Sequence, residues 1–352
     1  AASLESAPEM LYVGANDGML HAFKADDGSE TFAFIPSSLR NTISDLTTPK
    51  YGATGKAHRY FVDGTSVVSD VYFDGAWRKI LVGSLGAGGK QIFALDITSP
   101  TTPKLLWEFS SDDSNKLGYT MAQPSIARLN DNGAVKGKWV VILPNGYQGL
   151  NSASGEASLY VLDISNGSII KRFDVAGGMT SSELASSLPL GNGLSRASAI
   201  DNNSDGKTDI VDAGDLLGNL WRFDMQSGDS STWSAKLFYT ARDEDNKRQA
   251  ITAAPYVLKH PSGKGDIITF GTGRFLTASD KQSKKFESVY GVWDRYSDKG
   301  IVSPTTLPTS VKGRSDLLRQ EFTELGINSG KFKLSSDNIN WYHSGASGSA
   351  DS

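Results

Sequence analysis

The sequence predicts an all-β protein with the architecture of a modified β-propeller of four-stranded blades. Two repeating features predict it: a strand–turn–strand pattern recurs five times along the chain, and shorter apolar segments flank its copies. The third observation is that no amphipathic helical pattern of roughly 12 residues or more occurs. The chain should therefore consist of short strands joined by turns and loops.

Each copy of the repeat has an aliphatic strand, a turn rich in Gly, and a second strand that in four of the five copies ends on Asp. The copies are longer than the ~40–50-residue units of ordinary propeller repeats, so we expect the extra residues in loops. They read LYVGANDGMLHAFK at 11–24, ILVGSLGAGGKQIFALD at 80–96, WVVILPNGYQGLNSASGEASLYVLD at 139–163, DIVDAGDLLGNLWRFD at 209–224 and DIITFGTGRFLTASDKQSKKFESVYGVWD at 266–294.

The flanking segments raise the count to four strands in each unit. The segments that precede a copy begin at Val67, Gln123, Ser195 and Ala253, and those that follow one begin at Leu105, Ile169 and Ala235. Alternating or continuously apolar stretches bounded by Gly, Asn, Asp and Ser are typical of propeller blades. The 352 residues should hold about five blades and part of a sixth.

We divide the chain into a leader remnant at residues 1–8, a propeller domain at 9–345, and a flexible tail at 346–352 that is low in hydrophobicity. An open ring would expose strand edges, which propellers avoid by joining their first and last blades. We therefore predict that the native chain continues past Ser352 and completes the ring. The alternative is a closed five-bladed ring in which the strand at Leu11 pairs with one near Phe332.

Composition excludes several classes of function. The 35 Lys and Arg residues nearly balance 39 Asp and Glu residues, so the net charge of −4 gives no broad field for bulk nucleic-acid binding. The absence of cysteine excludes disulfides, thiolate catalysis and zinc–thiolate sites. No apolar run approaches the roughly 18 residues of a membrane span, so we predict no membrane insertion.

The segment DNNSDGKTD at residues 201–209, named here the acidic loop, has the ligand spacing of a calcium-binding loop. Alternate side chains of a tightly curled loop converge on one centre, and Gly206 at the sixth position permits the sharp turn. Their hard oxygen atoms suit Ca²⁺ better than Mg²⁺, which prefers an octahedron that retains several waters. The predicted ligands are the side chains of Asp201, Asn203, Asp205 and Asp209 and the backbone carbonyl of Lys207.

The loop departs from a helix–loop–helix calcium motif, because Asp212 stands where a bidentate Glu is usual and a strand pattern follows. Asp212 is therefore a weaker candidate ligand. The alternative interpretation is a metal-free turn, since Asp and Asn are common in turns. The corresponding turn of the preceding unit, RLNDNGAVKGKW at 128–139, keeps turn residues without the series of carboxylates. A turn at this position therefore does not require that series.

No catalytic constellation is predicted. The Gly-rich SLGAGGK at 84–90 lacks the order of a phosphate-binding loop and a following helix, so a hairpin is the better interpretation. The histidines show neither metal spacing nor a nucleophile motif beside them. They are His21, His58, His260 and His343.

Three stretches are similar to the C-terminal propeller of the PilC/PilY family of type IV pilus tip proteins. They lie at 11–23, 58–98 and 201–224, and the resemblance extends over about residues 9–345. It implies a propeller of about seven blades in the full domain with one calcium site, onto which the five residues of the acidic loop map. It also implies a protein exported to the periplasm, cell surface and pilus tip of a Gram-negative bacterium.

The resemblance further implies roles in pilus assembly, calcium-dependent control of extension versus retraction, twitching motility and adhesion. The expected partners are type IV pilins or minor pilins, and a host-cell or abiotic surface ligand. Two alternatives stay open. The segment at 17–32 is similar to repeats of quinoprotein dehydrogenases, although this chain lacks their vicinal cysteines. Calcium could instead simply hold one loop of a passive scaffold. We interpret the chain as a non-enzymatic protein.

Overall fold

In the computed structural model, five β-sheets follow one another along the chain, and a two-stranded hairpin accompanies them. The structure describes residues 8–111, 116–149, 152–177, 179–187, 190–261, 265–294, 314, 317–319, 322–324, 332–334 and 341–344. The expected tail at 346–352 and all but the last residue of the expected leader lie outside the described residues.

The first two sheets contain the strands predicted for them, and sheet 1 has three strands, of which β3 was not predicted. Sheet 1 contains β1 (Met10–Gly14), β2 (Leu20–Lys24) and β3 (Glu30–Phe34). Sheet 2 contains β4 (Val67–Phe73), β5 (Ala76–Ser84), β6 (Gln91–Asp96) and β7 (Lys104–Ser110). The Gly-rich segment predicted as a hairpin does connect β5 to β6.

The next two sheets are also antiparallel and four-stranded. Sheet 3 contains β8 (Ser125–Arg128), β9 (Trp139–Pro144), β10 (Ala157–Asp163) and β11 (Ile169–Val175). Sheet 4 contains β12 (Leu194–Ile200), β13 (Ile210–Asp215), β14 (Asn219–Asp224) and β15 (Ser234–Thr240). Their strands pair in chain order, so each repeat supplies the two central strands and the flanking segments supply the outer two.

Sheet 5 has five strands, of which two come from the last part of the chain. They are β16 (Tyr256–Lys259), β17 (Asp266–Gly271), β18 (Ser288–Asp294), β19 (Leu318–Arg319) and β22 (Trp341–Ser344). β22 pairs with β18, and β19 pairs with β22 in parallel. The separate hairpin consists of β20 (Phe322–Glu324) and β21 (Phe332–Leu334).

The core lies between successive sheets. Val140 and Leu159 of sheet 3 share one apolar cluster with Val211 and Phe223 of sheet 4, and all four are fully buried. Similar clusters join sheets 1 and 2, sheets 2 and 3, and sheets 4 and 5. Because both faces of a central strand are covered, β6 and β10 are buried along their whole length. Each large apolar side chain buried here contributes about 1.5–3 kcal/mol, and the sheets pack face to face as propeller blades do.

Helices are short. The only α-helix of the described residues, α1 (Ser181–Ser187), has seven residues, which agrees with the absence of a long helical pattern. The 3₁₀ helices are Ser37–Leu39, Ile43–Thr47, Gly133–Val135, Ser152–Ser154, Ser230–Thr232 and Ala278–Gln282. In the described part of the chain, no helix has the length and apolar character needed to span a bilayer.

The antiparallel order fixes which loops lie together. In each four-stranded sheet, the loops after the first and third strands emerge at one end, and the loop after the second strand emerges at the other. The acidic loop follows the first strand of sheet 4. It therefore shares an end of sheet 4 with residues 225–233. A backbone bond of 2.9 Å from the Thr208 N–H to the Arg128 carbonyl places the acidic loop beside sheet 3, and one of 3.3 Å from the Val135 N–H to the Gly228 carbonyl joins residues 129–138 to residues 225–233.

Ring closure between the predicted strands is not seen. Within the residues described, β1 pairs only with β2, and β21 pairs with β20. The alternative in which the strand at Leu11 pairs with one near Phe332 is therefore not the arrangement of this structure. Continuation of the native chain past Ser352 stays a prediction.

Candidate functional site

The acidic loop connects two antiparallel strands of sheet 4, as the sequence predicts. β12 ends at Ile200 and β13 begins at Ile210, and these two residues face each other as the last pair of the ladder. The Asp209 N–H donates to the Ile200 carbonyl at 2.9 Å and closes the base of the loop. The nine residues between the strands therefore form a loop at the end of a hydrogen-bonded hairpin.

Aspartate and asparagine side chains coil the loop. The carboxylate of Asp201 accepts hydrogen bonds from the backbone N–H groups of Asp205 at 3.1 Å and Gly206 at 2.7 Å. Asn203 Oδ1 accepts from the Asp205 N–H at 3.0 Å. Ser204 and Gly206 take left-handed φ values of 62° and 79°, which reverse the chain sharply. The alternation of side-chain oxygens recognised in the sequence thus produces the curl.

Asp209 fixes the loop to its surroundings. Its side chain lies at the base, with the residue only 4% exposed. Oδ2 accepts the Asn202 N–H at 3.0 Å, and Oδ1 accepts from the side-chain amide of Asn130 at 3.2 Å. Because Asn130 belongs to the preceding sheet, this carboxylate joins the acidic loop to sheet 3.

Lys207 makes the second connection between the loop and sheet 3. Its Nζ lies 3.0 Å from Asp205 Oδ2 and 3.2 Å from Asp131 Oδ2. The hydrogen bond from Lys207 lowers the pKa of Asp205 below its ordinary value. The ammonium of Lys207 thus bridges the acidic loop and sheet 3, and the role of its backbone carbonyl as a ligand stays a prediction.

The 128–131 segment of sheet 3 was missed as a neighbour of the site. The Thr208 N–H donates to the Arg128 carbonyl at 2.9 Å, and Arg128 Nη2 donates to Asp131 Oδ1 at 2.7 Å. In the sequence, this stretch was used only for comparison, as the corresponding turn that lacks the series of carboxylates. The contact could have been predicted from its equivalent position in the adjacent repeat, because equivalent loops of neighbouring blades lie side by side.

The donor set fits a hard, oxygen-preferring cation. Three carboxylates, one side-chain amide and one backbone carbonyl lie within nine residues of a curled backbone, with Gly206 at the turn. Among the described residues, no three His, Cys, Asp or Glu side chains converge as a metal-holding group, and Asp205 is instead paired with Lys207. Two of the five predicted donors, the Asn203 amide and the Lys207 carbonyl, are not acidic side chains, so the predicted ligand set mixes charged and neutral oxygens.

Asp212 is not a ligand, so its assignment as a weaker candidate is wrong. It lies in β13 opposite Arg222 of β14 and is fully buried. Arg222 Nε and Nη2 donate to its two carboxylate oxygens at 2.9 and 2.8 Å. Both oxygens of this buried carboxylate are therefore used by Arg222, and neither is available to a cation in the loop.

Arg222 also joins sheet 4 to sheet 5. Its Nη1 donates to the buried carboxylate of Asp294 in β18, and its guanidinium lies 4.6 Å from the ring centre of Phe238. Burial opposes the charge of Arg222, but the two carboxylates outweigh burial and raise the pKa of Arg222 above its ordinary value. This ion triad is a structural feature separate from the acidic loop.

Comparison with known proteins identifies the family. Residues 1–327 match the family model of the PilY1 β-propeller domain. Type IV pilus biogenesis factor PilY1 of Pseudomonas aeruginosa strain UCBPP-PA14 is 38% identical over 370 residues, covering 97% of this chain and 30% of that protein. A PilY1 homolog of Xylella fastidiosa strain Temecula1 is 38% identical over 301 residues, covering 82% of this chain and 19% of the homolog.

The fold agrees with the same relatives. The crystal structure of the Pseudomonas aeruginosa PilY1 C-terminal domain superposes with a TM-score of 0.73 at 34% sequence identity, covering 97% of this chain and 71% of that one. The chain spans less than a third of the length of the curated relatives it matches. On the family model and the identities together, this chain belongs to the family of PilY1 β-propeller domains.

Proposed function

We propose that this chain is the calcium-binding β-propeller of a type IV pilus biogenesis and tip protein. The observation that carries the proposal is the acidic loop, in which five oxygen donors at calcium spacing lie on a coiled backbone. Its family supplies the biological setting, because its curated relatives are named type IV pilus biogenesis factors. Asp201, Asn203, Asp205, Asp209 and the Lys207 carbonyl would hold the ion.

The chemistry of the loop suggests a switch. Its three carboxylates repel one another, and a bound divalent cation, together with the charge of Lys207, would balance them and order the loop. Loop order would bias a contact with pilins or minor pilins and so favour pilus extension over retraction. On this proposal the protein acts without enzymatic activity in the periplasm, at the cell surface and at the pilus tip. There it supports twitching motility and adhesion to a host-cell or abiotic surface.

Replacing Asp205 with alanine should weaken calcium binding at least about tenfold, because it removes a ligand and a negative charge together. Calorimetric titration of the unaltered protein should show one site of about micromolar affinity. Asp245→Ala is the matched control. Asp245 Oδ2 accepts from Lys247 Nζ at 2.9 Å in another loop, and these two residues are two positions apart in the sequence, as Asp205 and Lys207 are. Full affinity in Asp205→Ala would place calcium elsewhere.

Cells whose full-length protein carries Asp201→Ala with Asp209→Ala should lose most surface pili and twitching. These changes remove the first and last carboxylates of the loop, so calcium can no longer order it. Pili are counted by electron microscopy and motility by the twitching zone, with protein level measured by immunoblot and Asp245→Ala as the control. Normal pili and motility, in a variant that no longer binds calcium, would separate calcium from pilus function.

A further inference from the structure

We propose that Lys207 is a built-in cation that competes with calcium for Asp205, and that Asp131 of sheet 3 takes over Lys207 when calcium binds. The inference rests on the proposed calcium site and assigns two residues that set its affinity. Lys207 would thereby carry the state of the acidic loop to the neighbouring sheet.

The position of Lys207 is the first argument. Its Nζ is shared between Asp205 at 3.0 Å and Asp131 at 3.2 Å, and its side chain is only 16% exposed. A lysine ammonium on a surface loop is ordinarily well hydrated. Here it has exchanged most of that water for two carboxylates, one from each sheet.

The two oxygens of Asp205 supply the second argument. Oδ1 accepts the Lys207 N–H at 3.0 Å as part of the loop's coil, and Oδ2 accepts the Lys207 ammonium. An oxygen that ligates a divalent cation cannot also keep an ammonium at hydrogen-bond distance without strong repulsion between the two cations. Lys207 therefore has to leave Asp205 when Asp205 acts as a ligand.

Asp131 is ready to receive it. The Arg128 guanidinium holds Asp131 Oδ1 at 2.7 Å, and Oδ2 already faces Lys207. Charge balance agrees. Across the acidic loop and the 128–131 segment, four carboxylates against two cationic side chains leave two negative charges in excess, which one calcium ion neutralises while Lys207 stays on Asp131.

The transfer would tighten the junction of two blades. Besides Lys207 and Asp131, the loop is joined to the 128–131 segment by the Thr208 N–H on the Arg128 carbonyl at 2.9 Å and by Asn130 on Asp209 at 3.2 Å. When Lys207 pairs with Asp131 alone and no longer with Asp205, their ion pair strengthens this set of contacts. Sheet 3 therefore senses the loop through Arg128, Asn130 and Asp131, which are not among the predicted ligands.

The test is a double-mutant cycle on calcium affinity measured by calorimetry. Lys207→Met keeps the backbone carbonyl and removes the competitor, so calcium should bind about fivefold tighter. Asp131→Asn leaves Lys207 on Asp205 alone, so calcium should bind about fivefold weaker. In the Lys207→Met background the effect of Asp131→Asn should shrink to less than about half. Lys207→Arg should stay near the unaltered value, and Lys247→Met is the control from the similar pair.

The outcomes separate this inference from the proposed function. Unchanged or weaker binding in Lys207→Met would overturn the competition, and an equal effect of Asp131→Asn in both backgrounds would overturn the transfer. In either case the calcium site itself stands. Absence of calcium binding by the unaltered protein would instead overturn the proposed function and this inference together.

Discussion

Replacing Arg222 with methionine should lower the free energy of unfolding by about 3–5 kcal/mol, because the buried carboxylate of Asp212 loses its counter-charge and that of Asp294 loses one of its partners. The side chains of Asp212 and Asp294 are 0% and 2% exposed, and Arg222 is their common partner. Methionine fills a similar volume, so the loss comes from charge. Since the triad joins sheets 4 and 5, we expect the junction of these two blades to open first.

Urea denaturation followed by tryptophan fluorescence measures the effect. Arg59→Met is the control: Arg59 Nη1 pairs with Asp45 Oδ2 at 2.5 Å, and the two side chains are 52% and 40% exposed, so it should cost no more than about 1 kcal/mol. Adding Asp212→Asn and Asp294→Asn to Arg222→Met should recover much of the loss, because the two carboxylates that Arg222 paired with are then uncharged as well. A cost for Arg222→Met as small as that of the control would contradict the prediction.

The fold could be predicted because the strand signal is local and repeated. Alternation of apolar residues and Gly-rich turns located every strand of sheets 2, 3 and 4. The α-helix was not predicted, since seven residues are too few to show a helical period. A capping signal did precede it: the Thr180 N–H donates to Glu183 Oε2 at 2.8 Å, and the Glu183 N–H donates to Thr180 Oγ1 at 3.2 Å.

The position of the acidic loop was predictable, but its partners were not. Spacing alone identified Asp201, Asn203 and Asp205, because their geometry depends on a few consecutive residues. Contacts between Asn130 and Asp209 join residues 79 positions apart, and only the packing of sheet 3 on sheet 4 brings them together. Asp212 was misjudged for the same reason, since its partner Arg222 comes from the adjacent strand.

Asp215 has an unusual environment at the end of β13. It is completely buried, and all its hydrogen-bond partners in the described structure are neutral. Oδ1 accepts the N–H groups of Leu217 at 3.0 Å and Asn219 at 2.8 Å. Oδ2 accepts from the side chains of Asn192 at 3.0 Å, Asn219 at 2.9 Å and Trp221 at 2.9 Å. The carboxylate therefore organises the turn between β13 and β14 and ties it to residue 192.

Asp215→Ala should prevent stable folding, because five donors lose their acceptor at once. Each buried donor left without a partner costs about 1–3 kcal/mol, so the total is comparable with the whole stability of a typical domain. Asp215→Asn retains one acceptor oxygen but turns an NH₂ group towards other donors, so it should cost about half as much or less. Asp27→Ala is the control, since the exposed Asp27 accepts the Ser29 N–H at 2.8 Å in a turn. Urea midpoints and the yield of folded protein measure the series, and an Asp215→Ala protein that unfolds near the midpoint of Asp27→Ala would show that the turn holds without its carboxylate.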